Sequence, residues 1–280
     1  MSSPLRILSF ESRKAEEMRS LIERHGGQAT LAAAMKEIPL GISPELRSFS
    51  EALRAKAFDL LIFMTGVGAE ALVAALETEI SRDEIMGWLR QTRIIVRGPK
   101  PAAVLKKWDV PFVARADEPN TWREVIAAVR KHCGEGDRPL AGWQVAVQEY
   151  GAPSTELYVE LEQLGATVRP VTVYRWSLPD DVEPLKAAIR AAINREFDVV
   201  LFTTAQHLVH SVEVAESMGL KAEWLQALSQ CVLASIGPTA TERLREYDLP
   251  VAIEPEHPHM GHLVKAVFEN APSLVAARNK

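Results

Sequence analysis

One pattern runs through this chain twice. Phe58-Asp-Leu-Leu-Ile-Phe-Met-Thr65 returns as Phe197-Asp-Val-Val-Leu-Phe-Thr-Thr204, an offset of 139 from 58 to 197. Ile94-Ile-Val-Arg-Gly98-Pro99, followed by Val110-Pro111, returns as Leu233-Ala-Ser-Ile-Gly237-Pro238, followed by Leu249-Pro250; the offset holds from 98 to 237 and from 111 to 250. The helix closed by Gly27 matches the one closed by Gly165, an offset of 138 from 27 to 165. A duplication of this size predicts two similar α/β lobes. Two facing lobes are expected to enclose a cleft, where a ligand would sit.

Each half alternates strand and helix. The first half predicts strands over residues 5–10, 30–38, 58–64, 93–96 and 112–114, with helices over 15–25, 44–56, 70–77, 101–107 and 121–132. Residues 58–64 form an unbroken apolar run, the pattern of a parallel strand buried on both faces. Gly26 and Gly27 close the first helix, because glycine takes the left-handed conformation there without strain. The second half repeats the order over 144–147, 155–164, 167–173, 183–195, 199–202, 208–216, 232–235, 239–246, 251–253 and 261–268. Strands joined by crossover helices make doubly wound parallel sheets. Ligands of such sheets bind at the carboxyl ends of the strands, which selects Ser12, Arg13 and Lys14; Thr65 to Gly68; Arg97 to Lys100; Gly151 to Ser154; Thr203 to Gln206; and Gly237, Pro238 and Thr239.

The 280 residues are 47% hydrophobic and 25% charged, ordinary values for a globular protein with sizeable cores. A formal net charge of −5 argues against a nucleic-acid or anionic-membrane partner. No run approaches the eighteen or so uncharged apolar residues of a membrane span. The apolar stretch near the N-terminus is too short for a secretory leader. Two cysteines, Cys133 and Cys231, cannot build a disulfide framework, so a cytoplasmic setting is expected. Cys231 opens an apolar strand and reads as core, and Cys133 as a helix-end thiol.

At the strand ends, Gly98-Pro99-Lys100 and Gly237-Pro238-Thr239 each leave a strand for a helix N-terminus, where backbone N–H groups are free to receive a carboxylate or phosphate. A ligand-free tight turn accounts for the same residues. Thr65 with Gly66, and Thr203 with Thr204, place hydroxyls where they can cap a helix or bind a carboxylate. Gly66-Val67-Gly68 lacks the third glycine and acidic partner of a dinucleotide site. His257, His259 and His262 lack the convergent geometry and supporting ligands of a metal site, so no metal is expected. His207 and His210 share a helix face and read as surface residues. Tyr174, within Val171-Thr-Val-Tyr-Arg-Trp176, falls where Pro-containing stretches suggest a crossing between lobes. Its phenol can donate a proton to a ligand, and a tyrosine packed at a strand junction is the other reading.

Taken in order, Val173-Tyr174, Phe202-Thr203-Thr204, Ala234-Ser-Ile-Gly-Pro-Thr239, Leu249-Pro250, Ser12-Arg13, Met64-Thr65-Gly66 and Gly98-Pro99-Lys100-Pro101 resemble the uroporphyrinogen-III synthase family along essentially the whole chain. The resemblance implies two doubly wound parallel-sheet lobes joined by a two-strand antiparallel linker, one lobe from residues 1–38 plus 176–280 and the other from 39–173. It implies closure of hydroxymethylbilane, a linear tetrapyrrole, into uroporphyrinogen III with loss of water and inversion of ring D. It assigns Tyr174 to assist departure of the hydroxyl group, which an ordinary phenol, protonated at neutral pH, can do. Substrate carboxylates would be held by backbone amides near Gly66, Gly98, Gly237 and Pro238, with Ser12, Arg13, Lys14, Thr65, Arg97, Lys100, Thr203, Thr204 and Thr239. It implies no cofactor; a monomer is the default expectation, with transient contact with the preceding enzyme of the pathway. Two positions depart from the family pattern: Ser12-Arg13-Lys14 replaces the commoner Thr-Arg-Pro, and Thr204 stands where Ser is more frequent. The rival reading is a non-catalytic two-lobed sensor of a small molecule.

Overall fold

The computed structural model describes residues 3–134 and 136–278. The chain runs β1 (Arg6–Ser9), α1 (Ala15–Arg24), β2 (Gln28–Leu31), β3 (Lys36–Pro39), α2 (Pro44–Arg54), β4 (Leu60–Phe63), α3 (Gly66–Leu76), α4 (Arg82–Gln91), β5 (Ile94–Val96), α5 (Pro99–Lys107), β6 (Ala114–Arg115) and α6 (Trp122–Cys133). The same order then returns: β7 (Gln144–Gln148), α7 (Thr155–Gln163), β8 (Thr167–Val171), β9 (Tyr174–Ser177), α8 (Glu183–Ile193), β10 (Val199–Phe202), α9 (Ala205–Ser217), α10 (Lys221–Gln230), β11 (Val232–Ser235), α11 (Pro238–Arg245), β12 (Val251–Ile253) and α12 (Met260–Arg278). Among the described residues no helix is long and apolar enough to cross a membrane.

Two units result: lobe 1, Met1–Lys36 with Ser177–Lys280, and lobe 2, Glu37–Trp176. Lobe 1 holds a five-stranded sheet in the order β12-β11-β10-β1-β2, every pair parallel. Lobe 2 holds β6-β5-β4-β7-β8, again all parallel. Each sheet therefore takes its last two strands from the other repeat. A separate two-stranded antiparallel sheet of β3 and β9 forms where the chain passes from one unit to the other.

Burial explains the strand sequences. Every residue of β4 and β10 is buried, and alternate residues serve opposite faces of the sheet. In lobe 1, Leu8, Val200, Phe202 and Leu233 pack with Trp224 of α10, whereas Ile7, Val199, Leu201 and Val232 pack under α1 and α12. The repeated Phe-Asp pair has a backbone purpose. Asp198 accepts the amide of Arg6 at 2.8 Å and its guanidinium at 2.7 Å. Asp59 accepts the amide of Gln144 at 2.8 Å. Each carboxylate fixes the register of the strand borrowed from the other repeat.

Four expectations are corrected. The strand expected over 30–38 is broken: β2 ends at Leu31, Ala32 and Ala34 donate to Ser9 and Phe10 carbonyls, and β3 belongs to a different sheet. Residues 167–173 break likewise between β8 and β9. The helices α4 and α10 are additional to the expected set, and they occupy matching places in the two repeats (82 to 221 is again 139). Finally, α12 continues through Pro272 to Arg278 rather than ending near 268.

Candidate functional site at the strand ends

In each sheet the strand order reverses between two neighbours, β1 and β10 in lobe 1, β7 and β4 in lobe 2. Connections leave such a pair in opposite directions, so the space beyond its carboxyl ends stays open to a ligand. Within two residues of these strand ends stand Glu11 and Thr203 in lobe 1, Tyr150 and Thr65 in lobe 2.

In lobe 2, Thr65 stands in extended conformation as the N-cap of α3, its hydroxyl accepting from the Gly68 amide at 2.9 Å. The same hydroxyl lies 3.3 Å from the Tyr174 hydroxyl. The Thr65 amide donates to the side-chain oxygen of Gln148 at 3.3 Å. Gln148 is fully buried, and its amide nitrogen donates to the Glu149 carbonyl. A methyl group on Gly68 would fall 1.8 Å from Gln148, and one on Gly66 would lie 3.1 Å from the Lys100 carbonyl. These glycines let α3 settle onto β7 and α5. Tyr174 is 2% exposed, with its ring edge-on to Trp176 at 5.2 Å.

Arg97 follows β5, its amide donating to Phe63 at 2.9 Å. Its guanidinium lies 5.2 Å over the ring of Tyr150. Burial lowers its pKa, against opposing contributions from Tyr150 and Tyr174, and among the described residues it has no carboxylate partner. Gly98 is the N-cap of α5, Pro99 and Pro101 open that helix, and Lys100 is exposed on its first turn. Behind this edge the buried Glu149 accepts from Tyr158 and Thr172 hydroxyls. Burial, then the carboxylate, push the Tyr158 phenol well above its ordinary value.

In lobe 1, Thr204 caps α9 and accepts from Gln206 at 3.4 Å. Thr203 donates to Glu11 at 2.7 Å, and the Glu11 amide donates to the buried Ser9 hydroxyl at 3.3 Å. Ser12, Arg13 and Lys14 form the turn into α1, with Arg13 and Lys14 exposed and Lys14 paired to Glu17. Gly237 is the N-cap of α11 and Pro238 opens it, while Thr239 is exposed on the first turn. Beneath that turn, Ser235, Thr241 and Glu254 are linked through their oxygens.

His207 and His210 are not surface residues. They are 2% and 5% exposed, because the face of α9 that carries them packs toward the first strand and its exit. His210 Nδ1 meets the Ala34 carbonyl at 2.8 Å, and the His207 ring stands edge-on to Phe10 at 6.0 Å. His207 Nδ1 has no partner among the described residues, and burial lowers this group to about 3. His257, His259 and His262 are neighbours, with ring centroids 5.4 and 5.8 Å apart, and among the described residues no three ligating groups are placed to hold a metal.

The family profile described as Uroporphyrinogen-III synthase HemD matches residues 16–265. The chain belongs to the uroporphyrinogen-III synthase family. An uncharacterized protein of Bacillus subtilis (strain 168), YjjA, is 31% identical over 267 residues, spanning 92% of this chain and 93% of its own. A mutant uroporphyrinogen III synthase from the extremely thermophilic bacterium Thermus thermophilus superposes with a TM-score of 0.69 at 23% identity, over 96% of this chain and 99% of that one. The uroporphyrinogen-III synthetase of Helicobacter pylori gives 0.52 at 16% identity, over 96% and 99%. At such identities the two structures speak for the fold, two parallel-sheet lobes with a two-stranded link, and the sequence profile speaks for the family.

The structure thus gathers Thr65, Gly66, Arg97, Gly98, Lys100 and Tyr174 at one edge of lobe 2. Ser12, Arg13, Lys14, Thr203 and Thr204 lie at the corresponding edge of lobe 1, beside Gly237, Pro238 and Thr239. Strand-end reasoning misses Tyr150, Gln148, Glu11 and His207. The repeat carries a usable signal for all four: Gln148 answers Ser9, Tyr150 answers Glu11, and His207 answers Gly68, each at an offset of 139.

Proposed function

We propose that this chain is a uroporphyrinogen-III synthase, cyclising hydroxymethylbilane to uroporphyrinogen III with loss of water and inversion of ring D. The observation that carries the reading within the family is the Tyr174 hydroxyl beside Thr65 at the carboxyl end of β4. In this scheme the phenol gives its proton to the departing hydroxyl group. The carbon–oxygen bond breaks, water leaves, and the pyrrole nitrogen lone pair stabilises the azafulvene cation. Attack by ring D, formation of the spiro intermediate and rearrangement then follow from how the chain is held. The proton released on closure returns to the phenolate. Its route runs from the hydroxyl edge, where Thr65 stands, because the ring itself is packed in the core.

Carboxylates of the substrate would be received by amides at the N-termini of α3, α5, α9 and α11, with Ser12, Arg13, Lys14, Thr65, Arg97, Lys100, Thr203, Thr204 and Thr239 contributing charge and hydroxyls. A cofactor-free, monomeric, cytoplasmic enzyme completes the proposal. The test supplies freshly generated hydroxymethylbilane with and without the protein, oxidises the products and separates type I from type III porphyrin. Enzyme-dependent type III product is expected; type I alone from a folded sample sinks the reading and favours a sensor. Tyr174→Phe is expected to lower turnover at least several-fold with folding intact by circular dichroism, and wild-type turnover would remove its role.

A further inference from the structure

We propose that Tyr150 is a positioning residue, whose ring holds the Arg97 guanidinium at the β4–β7 edge of lobe 2 as a receptor for a carboxylate of the ligand. The inference deepens the synthase reading and rests on it for the ligand's identity. Three observations converge. Strand order reverses between β4 and β7, the position where open α/β sheets receive ligands, and Tyr150 and Thr65 stand just beyond it. Arg97 sits 5.2 Å over the Tyr150 ring with no carboxylate partner among the described residues. The Tyr150 ring is half-buried and packed against the core of lobe 2, so it is itself held in place while it carries the cation.

A half-buried guanidinium held against an aromatic face has its fork of N–H donors unclaimed by a carboxylate, and an arriving carboxylate can take two parallel N–H···O bonds from it. The aromatic face fixes the fork in advance, so less freedom is lost on binding. Lobe 1 offers no counterpart: at the positions matching Arg97 and Tyr150 stand Ile236 and Glu11. A guanidinium braced on an aromatic ring is therefore particular to the lobe 2 edge, whereas the cations Arg13 and Lys14 of lobe 1 stand on an exposed turn.

The experiment measures steady-state KM and kcat with hydroxymethylbilane, and separately the affinity for uroporphyrin III, an octacarboxylate, by fluorescence quenching. Arg97→Gln, Tyr150→Leu, Tyr150→Phe and the double variant Arg97→Gln/Tyr150→Leu are compared. Tyr150→Leu is expected to weaken porphyrin binding and raise KM by about 3- to 30-fold with kcat nearly kept. Tyr150→Phe, which keeps the ring, restores both. The double variant binds no more weakly than Arg97→Gln alone, since the brace acts through the arginine. Wild-type affinity in Tyr150→Leu, or a full additive loss in the double variant, overturns the proposal. If the wild type makes no type III product yet binds porphyrin through Arg97 and Tyr150, the synthase reading falls and the receptor stands. If the wild type makes type III product and both KM and porphyrin affinity are unchanged in Arg97→Gln and Tyr150→Leu, the receptor falls and the synthase reading stands.

Discussion

The two lobes share a backbone plan and differ at the edge where that plan opens. Arg97 N donates to Phe63 O in lobe 2 and Ile236 N to Phe202 O in lobe 1, both at 2.9 Å, and Thr65 and Thr204 cap equivalent helices. Around that common frame, lobe 1 pairs hydroxyls with carboxylates (Thr203 with Glu11, Ser235 with Thr241 and Glu254), whereas lobe 2 sets a guanidinium over a phenol ring, with Glu149 bound by hydroxyls behind it. Beneath each edge a large and a small residue trade places. Gln148 lies against Gly68 in lobe 2, and the matching positions of lobe 1 hold Ser9 and His207. Duplicated backbone hydrogen bonds cannot vary without breaking a sheet, while side chains beyond the strand ends can, so the repeats differ most beyond their strand ends.

The largest expected contrast is with pH. His207 is held neutral by burial, lowered to about 3 from an ordinary value near 6.5. Above that ordinary value both folded and unfolded chains carry it neutral. As pH falls below about 6.5, only the unfolded chain takes up the proton, so lobe 1 loses about 1.4 kcal/mol per unit down toward the folded value. Lobe 2 has glycine at the matching position and lacks this contribution. Hydrogen exchange read by mass spectrometry should show β10 and α9 losing protection between pH 7 and 5, and His207→Phe should flatten the loss; an unchanged slope in that variant rejects the assignment.

The next contrast is steric. Gly68→Ala should cost about 1–3 kcal/mol by overlap with Gln148, outweighing the ~1 kcal/mol that alanine normally gains in a helix. In a Gln148→Ser background, which copies lobe 1, the same substitution should become neutral or stabilising. Urea midpoints of the four proteins decide it, and equal effects in both backgrounds would mean Gln148 is not the obstacle.

The smallest is electrostatic. Burial alone would raise the Asp198 pKa, but the hydrogen bonds and charge of Arg6 outweigh it and hold the carboxyl below its ordinary range. Its stabilisation is present above the unfolded pKa near 3.9 and fades as pH falls through the lower folded value. Asp198→Asn should cost about 1–2 kcal/mol and Asp59→Asn, which serves one amide, about 0.5–1. Equal losses in thermal unfolding would show that the guanidinium adds nothing.

Much of the fold was legible because burial on both faces leaves β4 and β10 as unbroken apolar runs, and because Thr65, Thr204, Pro99 and Pro238 mark helix starts. The helix α4 was hidden, since its buried set is Ile85, Met86 and Leu89 amid charged residues, too narrow a stripe to read. His207 and His210 resemble surface residues because two polar side chains three apart look solvated until the helix is placed against its sheet. Among the candidate residues, the places of Thr65 and Arg97 beyond β4 and β5 followed from strand ends alone. Tyr150 did not, because its meaning arises from β5, β4 and β7 lying side by side, a relation absent from any local window.

The borrowed strands carry a consequence for how the chain comes off the ribosome. All five strands of the lobe 2 sheet lie between Leu60 and Val171, so that sheet is complete once synthesis passes Val171. β1 is made first yet pairs with β10, as Ile7 with Val199, 192 positions later from 7 to 199. At about 5–20 residues per second, β1 and β2 wait roughly 10–40 s, an unclosed strand–helix–strand unit, for the partner that completes their sheet. For that interval β1 presents an unpaired apolar edge, and the sheet of lobe 2 is complete before that of lobe 1 can close.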